Sequence, residues 1–412
     1  MERLYSILEI MKIKDIVRFH SETTTPIPGV VYHLYSLPSF DNNQTREELL
    51  GQDIQSNKFT VPNRCILFNK LNVRFKRIWR IDSDEDHKIA STEFLPLIID
   101  ENKVDFDYCF YLLASPAITD YLCGQNANTS GSHKRIDPTN FFNIGIKLPP
   151  LAQQYEIGKL LSSLDTKIKL NRQINQNLEA MAKQLYDYWF VQFDFPNEEG
   201  KPYKSSGGEM LWNDKLKRNI PVGWHCGNLF EIAVFTNGLA CQKFRPKDDE
   251  MPLPVIKIRE MHDGISVDTE EVTSNIPESV KVYNGDVLFS WSASLEVMLW
   301  AYGLGGLNQH IFKVTSANDF PKSFYYFQLL DYVNVFKKMA EARKTTMGHI
   351  TQDHLQQSTI AIPDNKDIAD KFEELISPIF KQIVKLQEEI SNLIKQRDEL
   401  LPLLMNGQIT IE

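Results

Sequence analysis

Cysteine is scarce: the 412 residues hold five (Cys65, Cys109, Cys123, Cys226 and Cys241), an odd number with no C-x-x-C pair. That excludes a disulfide scaffold and a thiolate zinc knot, and points to free thiols in a reducing compartment. Long apolar runs are missing as well, since nothing approaches the roughly 18 residues a membrane helix needs. Met1 to Lys14 carries Glu2 and Glu9 where a secretory leader would be basic and then apolar. A soluble, cytoplasmic protein without a membrane partner is expected. Positive charge is also short, with 45 Lys plus Arg against 54 Asp plus Glu and a net charge of -9. This argues against a chain that coats nucleic acid without preference and leaves any such contact to local patches.

Catalytic motifs are absent too. There is no G-x-x-x-x-G-K-[ST], no H-E-x-x-H and no G-x-S-x-G, and the glycines at 303, 305 and 306 do not follow the dinucleotide pattern. His349 and His354 are five apart and fall on different faces of a helix, so no metal site is expected. The acidic group Asp82, Asp84, Glu85 and Asp86 lacks the glycine and terminal glutamate of a calcium loop and reads as a solvated turn.

What the chain does contain is two heptad stretches. Ile157, Leu161, Leu164, Ile168, Asn171, Asn175, Leu178, Ala182, Leu185 and Trp189 keep strict four-three spacing, and eight of these ten are apolar. Phe372, Ile376, Ile379, Ile383, Leu386, Ile390, Leu393, Arg397, Leu400 and Leu404 do the same with nine of ten. That rhythm predicts two helices packed along one another. Ser377-Pro378 reads as a fresh helix start, with Pro402 and Gly407 as its end. The blocks outside these helices, rich in short Val/Ile/Phe runs broken by Gly, Pro, Asn and Asp, read as mixed strand and helix globules. Residues 197–208 (NEEGKPYKSSGG) read as a polar linker.

The globules repeat. Asn63, Ile66, Leu67, Phe68 and Trp79 match Asn284, Val287, Leu288, Phe289 and Trp300 at an offset of 221, and Ile13, Ile16 and Phe19 match Leu229, Ile232 and Phe235 at 216. The expected class is therefore α+β: two pseudo-repeated mixed α/β globules joined by two long helices forming an antiparallel coiled coil. The boundaries read as 1–148 for the first globule, 149–192 for the first long helix, 193–362 for the linker and second globule, and 363–412 for the second long helix and tail.

Nucleic-acid contact is expected where base and polar residues cluster. Arg64 to Arg80 has six positive charges and no acid in 17 residues. In it Lys70, Asn72, Arg74 and Lys76 alternate, so that on an extended strand they would share one face, with Arg77 beside them. An ordinary charged solvent face is the plain alternative. At the repeat-equivalent place Ser290, Ser292 and Ser294 alternate instead. Ser132, His133, Lys134 and Arg135 in the first copy, and Arg343, Lys344, Thr345, Thr346, His349 and Thr351 in the second, combine hydroxyls, imidazoles and bases suited to phosphate and groove contact. Plain loops would have the same composition.

The stretches LPPLAQQYEIGKLLSSLDTKIKLNRQINQNLEAMAKQL (148–185), DFPNEEGKPYKSSGGEM (194–210), IPVGW (220–224), GDVLFSWSAS through LNQHIFKV (285–314, in which Asn308 and Gln309 are expected to contact DNA), TTMGHITQDHL (345–355) and LLPLLMNGQI (400–409) resemble the specificity subunits of Type I restriction-modification enzymes. The resemblance covers nearly the whole chain. It implies a non-catalytic reader of double-stranded DNA, with the globules as two target recognition domains, each reading one half of a split, asymmetric site. Two modification (methyltransferase) subunits and the restriction (helicase-nuclease) subunits are the implied partners. S-adenosylmethionine, ATP and Mg belong to those partners, with no cofactor in this chain. On the outer face of the first helix, Ile174, Met181 and Tyr188 form a second seven-residue row expected to dock the modification subunits. Asn171 and Asn175 are expected to pair with each other or with Arg397, or to face a partner. A helix from Pro378 to Leu404 would span about 40 Å, close to one turn of B-DNA at about 34 to 36 Å. The first globule lacks the I-P-x-G-W lead-in, so its opening strand is expected to be anchored differently. Rival readings are a coiled-coil structural adaptor without sequence preference and a stand-alone nucleic-acid enzyme.

Overall fold

The computed structural model describes residues 9–42, 44–125, 134–247, 249–292, 294–342 and 350–411. The chain forms two compact units, residues 1–167 with 393–412, and residues 168–392. Each long helix contributes a segment to both.

In the first unit, strand Glu9–Lys12 pairs antiparallel with Gly145–Leu148, the strand that leads into the first long helix. A single helical turn, Ile13–Ile16, follows, its start fixed by the Asp15 carboxylate accepting from the Lys12 N–H at 2.8 Å. The chain then enters an antiparallel sheet ordered Val17–Phe19, Phe94–Ile99, Arg64–Asn69, Ile78–Asp82. A second, five-stranded sheet is ordered Thr23–Thr24, Lys58–Thr60, Lys88–Ala90, Val31–Tyr35, Glu47–Leu50. Ile13, Ile66, Phe68, Leu97, Tyr108 and Phe141 fill a core that also takes Ile157 and Leu161 from the first long helix and Leu401 and Leu404 from the second.

The second unit repeats this wiring. Trp224–Gly227 pairs antiparallel with Ile360–Pro363, the strand before the second long helix. The turn Leu229–Ile232 is capped by Asn228 and Glu231. The sheet that follows is ordered Ala233–Asn237, Ile311–Ser316, Val287–Ser290, Glu296–Leu299. A second sheet runs Glu271–Val272, Leu253–Ile256, Gly305–Leu307, Lys281–Val282. Both opening strands are thus anchored in the same way, correcting the expectation of a different anchor in the first globule. The pairing is made by backbone groups, which the missing I-P-x-G-W does not alter.

Strand register tests the repeat residue by residue. Phe19 and Ile66 both face Leu97, and Phe235 and Val287 both face Val314, so the offsets 216 and 221 mark equivalent sites. The tryptophans are not equivalent. Trp79 faces Leu67, whereas Leu288 faces Met298 and Trp300 lies past the strand's end. The connection spans 70–77 in one copy and 291–295 in the other, and the shorter turn shifts the returning strand.

The first long helix runs Leu151–Tyr186 and ends in a π-helical turn, Asp187–Val191. The second runs Asp367–Met405 without a break, so Pro378 does not start it and Pro402 does not stop it. An interior proline costs about 3 kcal/mol, but Phe372, Ile376, Phe380 and Ile383 on either side of Pro378 are all buried in the second unit's core, and that packing decides the outcome. Beyond Met405, Gly407 takes a φ of 66°, its N–H donates to the Leu404 carbonyl at 3.2 Å, and the Gln408 N–H donates to that of Leu403 at 2.9 Å. These bonds close the helix as a Schellman motif.

Within the second unit the helices run antiparallel. Asn171 Nδ2 donates to Glu389 at 3.1 Å and Asn175 Nδ2 to the Ile383 carbonyl at 3.3 Å. Arg397, in the first unit, pairs with Asp165 at 2.9 Å. The asparagines therefore bond across the seam to the facing helix, and the arginine has a carboxylate partner of its own. Residues 193–208 are folded back: Phe195 stacks on Tyr203 and Trp224, and Ser205 donates to Asp194 through its N–H at 2.7 Å and its hydroxyl at 2.6 Å.

Candidate nucleic-acid interface

The basic stretch of the first copy divides by geometry. Arg64 pairs with Glu101 at 2.8 Å and with Asp82, Arg80 with Asp107 at 2.6 Å, and Arg77 grips Asp41 through two hydrogen bonds of 2.7 Å. These charges are paired with the chain's own carboxylates. Arg74 and Lys76 are exposed, with Arg74 lying 4.7 Å from the centre of the Phe75 ring.

Residues 70–77 are not an extended strand. Strand Arg64–Asn69 has ended, Asn72 is left-handed with a φ of 51°, and the Phe75 N–H donates back to the Asn72 carbonyl at 2.9 Å. The turn breaks the period of two, so Lys70, Asn72, Arg74 and Lys76 do not share a strand face. Asn69 holds the turn. Its side chain is buried, Nδ2 donates to the Leu71 carbonyl at 2.7 Å, and Oδ1 accepts from the Leu71 N–H at 2.8 Å.

The structure brings a second candidate segment onto this loop. The Asn72 N–H donates to the Lys134 carbonyl at 2.8 Å, the Ile136 N–H to the Lys70 carbonyl at 3.0 Å, and Leu71 bridges Arg135. Arg135 forms an ion pair with Glu93, 2.6 Å at its shortest. The hydrogen bond from Arg135 holds the Glu93 carboxyl below its ordinary range, with Lys70 adding to the same field. Ser132 and His133 lie outside the described residues, as do Arg343, Lys344, Thr345, Thr346 and His349.

In the second copy the serines are turned inward. Strand Val287–Ser290 is buried along its whole length, and Ser290, with no exposed surface, donates its hydroxyl to the Ser294 carbonyl. Ser292 is buried too. A strand covered on both faces has no outward side on which to display Ser290, and Ser292 is buried in the connection past the strand's end, which corrects the reading of the two as a presented set. Asn308 is likewise buried, its N–H donating to the Ile256 carbonyl at 3.0 Å while Oδ1 accepts from the His310 N–H at 3.3 Å. Gln309 donates its N–H to the Leu239 carbonyl at 2.8 Å and brings Nε2 within 3.3 Å of His310 Nε2. Thr351 is the N-cap of helix Gln352–Gln356, its hydroxyl 3.0 Å from His354 Nδ1.

Trp291, missed in the sequence, is the residue that stands where Lys70 stands. Its carbonyl accepts from the Ile350 N–H at 3.0 Å, just as that of Lys70 accepts from Ile136. The ring is partly exposed, donates Nε1 to Asn237 Oδ1 at 3.3 Å and lies 5.7 Å from the imidazole of His310. The offset of 221, applied to Lys70, would have found it. The Lys70 loop therefore carries ammonium and guanidinium groups, whereas its equivalent carries the Trp291 indole, set beside His310 and Gln309 from the connection before strand Ile311–Ser316. Ile174, Met181 and Tyr188 keep 37%, 44% and 37% of their surface exposed, beside the buried Ala182 and Trp189.

A family model described as the Type I restriction modification DNA specificity domain matches the chain twice, over residues 8–180 and 221–396. The HindI specificity subunit of Haemophilus influenzae is 23% identical over 401 residues, 84% of this chain and 86% of the relative. The MjaIX specificity subunit of Methanocaldococcus jannaschii is 24% identical over 324 residues, 76% of this chain and 72% of the relative. Among solved structures, the S subunit of a Type-I restriction-modification system from M. genitalium covers 98% of this chain with a TM-score of 0.58 at 12% identity, with 97% of that chain covered.

Proposed function

The chain belongs to the family of Type I restriction modification DNA specificity domains, and from that premise we propose that it reads a bipartite, asymmetric site in double-stranded DNA with one globule per half-site. The observation that carries this reading is the duplicated scaffold with exchanged chemistry: the Lys70 and Trp291 loops hang from the same strands by the same backbone bond but offer different groups. A structural adaptor has no use for that difference. Lys70, Arg74, Lys76 and Lys134 supply phosphate and guanine-edge contacts in the first copy, while Trp291, His310 and Gln309 supply apolar and hydrogen-bond contacts to base edges in the second.

The chain is a non-catalytic subunit in this reading and works in the cytoplasm. Two modification subunits bring S-adenosylmethionine, and restriction subunits bring ATP and Mg. The exposed row of Ile174, Met181 and Tyr188 on the first long helix suits an apolar contact with a modification subunit. Co-expression with its modification subunits followed by methylome sequencing tests the whole proposal. The expected result is one split motif, and a contiguous motif, or no sequence preference, overturns it. Ile174→Asp with Met181→Asp, in a chain that stays folded, should abolish assembly on a sizing column.

A further inference from the structure

Asn284 is the repeat partner of Asn63, a match that nothing in the reading loops explains. It sits in the turn before strand Val287–Ser290 and its amide works in two directions. Oδ1 accepts from the Gly303 N–H at 2.7 Å, and Nδ2 donates to Glu388 on the second long helix. Beside it, Tyr302 Oη accepts from Gln387 Nε2 at 2.7 Å. The corner that holds these two residues is laced together: the Gly285 N–H donates to the Trp300 carbonyl at 2.7 Å, and the buried Trp300 donates Nε1 to the Gly303 carbonyl at 2.6 Å. Asn63 makes no such reach. Its Oδ1 accepts from Lys88 at 2.9 Å and its Nδ2 donates to Asp84 at 3.0 Å, both inside its own globule.

The second globule is thereby attached to its helix at two separated places. Near the helix start, Phe372, Ile376, Phe380 and Ile383 enter the core and Glu373 accepts from the Ser323 N–H at 2.7 Å. Gln387 and Glu388 lie beyond that core, and Glu388 is about 22 Å along the axis from Glu373 at the rise of an α-helix. An apolar core resists separation but is tolerant of small rotations, because its contacts are non-directional. A pair of hydrogen bonds at the far end is directional and removes that freedom.

We propose that Asn284 and Tyr302 are positioning residues that fix the tilt of the second globule on its helix, and with it the length of unread spacer the complex accepts. This rests on the split-site reading above. The test uses the chain assembled with its modification subunits, and a DNA library in which both half-sites are intact and the spacer is the normal length, one base pair shorter or one longer. Asn284→Ala with Tyr302→Phe removes the bonds from the globule side, and Gln387→Ala with Glu388→Ala removes them from the helix side, without touching the globule's own corner. Each pair should raise the ratio of off-spacer to normal-spacer methylation about tenfold, as expected for two partly exposed hydrogen bonds, with both half-site sequences unchanged. A merely structural role would lower methylation at all three spacers together and leave the ratio alone; that result, or an unaltered ratio in both folded variants, overturns the proposal. The unsubstituted complex tests the split-site reading separately, since it must itself methylate a split motif.

Discussion

At the scale of single residues, the exposed charges and the half-exposed indole make different predictions. On the proposed reading Arg74→Ala with Lys76→Ala takes away two phosphate contacts, and should weaken DNA binding by the assembled complex about equally for all sequences and flatten the salt dependence by about two units of slope. Trp291→Ala should instead alter preference within one half-site, by about 1 to 3 kcal/mol at one position, and leave the other half-site as it was. Filter binding across a salt series and a half-site library read the two outcomes. His225 gives a pH prediction. Burial pulls its imidazole down, but hydrogen bonds to Asp364 at 2.5 Å and to Glu231 at 3.3 Å leave it net above its ordinary value of 6.5. A folded-state value above the unfolded one stabilises below about pH 6.5, and the stabilisation fades as pH rises through the folded value. The melting temperature of the native chain should therefore fall more between pH 6 and pH 8 than that of His225→Gln.

At the scale of elements, the long helices carry features whose purpose lies in their neighbours. Gly158 in the first helix sits against the start of helix Phe106–Ala114, where an added Cβ would come within 2.8 Å of both the Tyr108 nitrogen and Asp105 Oδ1. Gln154, a turn earlier, accepts from the Asp105 N–H at 2.9 Å and donates to the Pro149 carbonyl at 2.8 Å. The Q-x-x-x-G spacing is thus a docking notch. Gly158→Val should cost about 2 kcal/mol through overpacking, seen as a lower melting temperature and weaker protection of Phe106–Ala114 in hydrogen exchange. Pro378 is exposed and inside a helix. Pro378→Ala should stabilise the chain by about 1 to 2 kcal/mol, because the helix regains a backbone donor at no loss of packing; a lower denaturation midpoint would contradict this.

At the scale of the whole molecule, a net charge of -9, with Arg64, Arg77, Arg80 and Arg135 paired internally, leads to the prediction that this chain alone should grip DNA weakly, with the proposed partner subunits supplying much of the phosphate contact. Tight, sequence-specific binding by the isolated chain would contradict that. Equal insertions of a few residues in both long helices should lengthen the spacer and leave both half-sites unchanged, which methylome sequencing of the variant reads directly.

By itself the sequence determined the repeat, the two heptad helices and the family resemblance, because each is a periodic or collinear signal. Burial at Ile157, Leu161, Ile168, Ala182, Ile376, Ile390 and Leu404 follows the four-three rhythm with no further information. Tertiary structure alone decided which polar groups face outward. Arg77 and Lys76 are neighbours, but one is bound to Asp41, 36 residues away, and the other is exposed. Ser290 alternates with Ser292 and Ser294 in sequence, yet its strand is covered on both faces. The helix through Pro378 and the displaced Trp300 have the same origin: local propensity and a constant offset are near-neighbour rules, whereas core packing and turn length act between segments far apart in the chain.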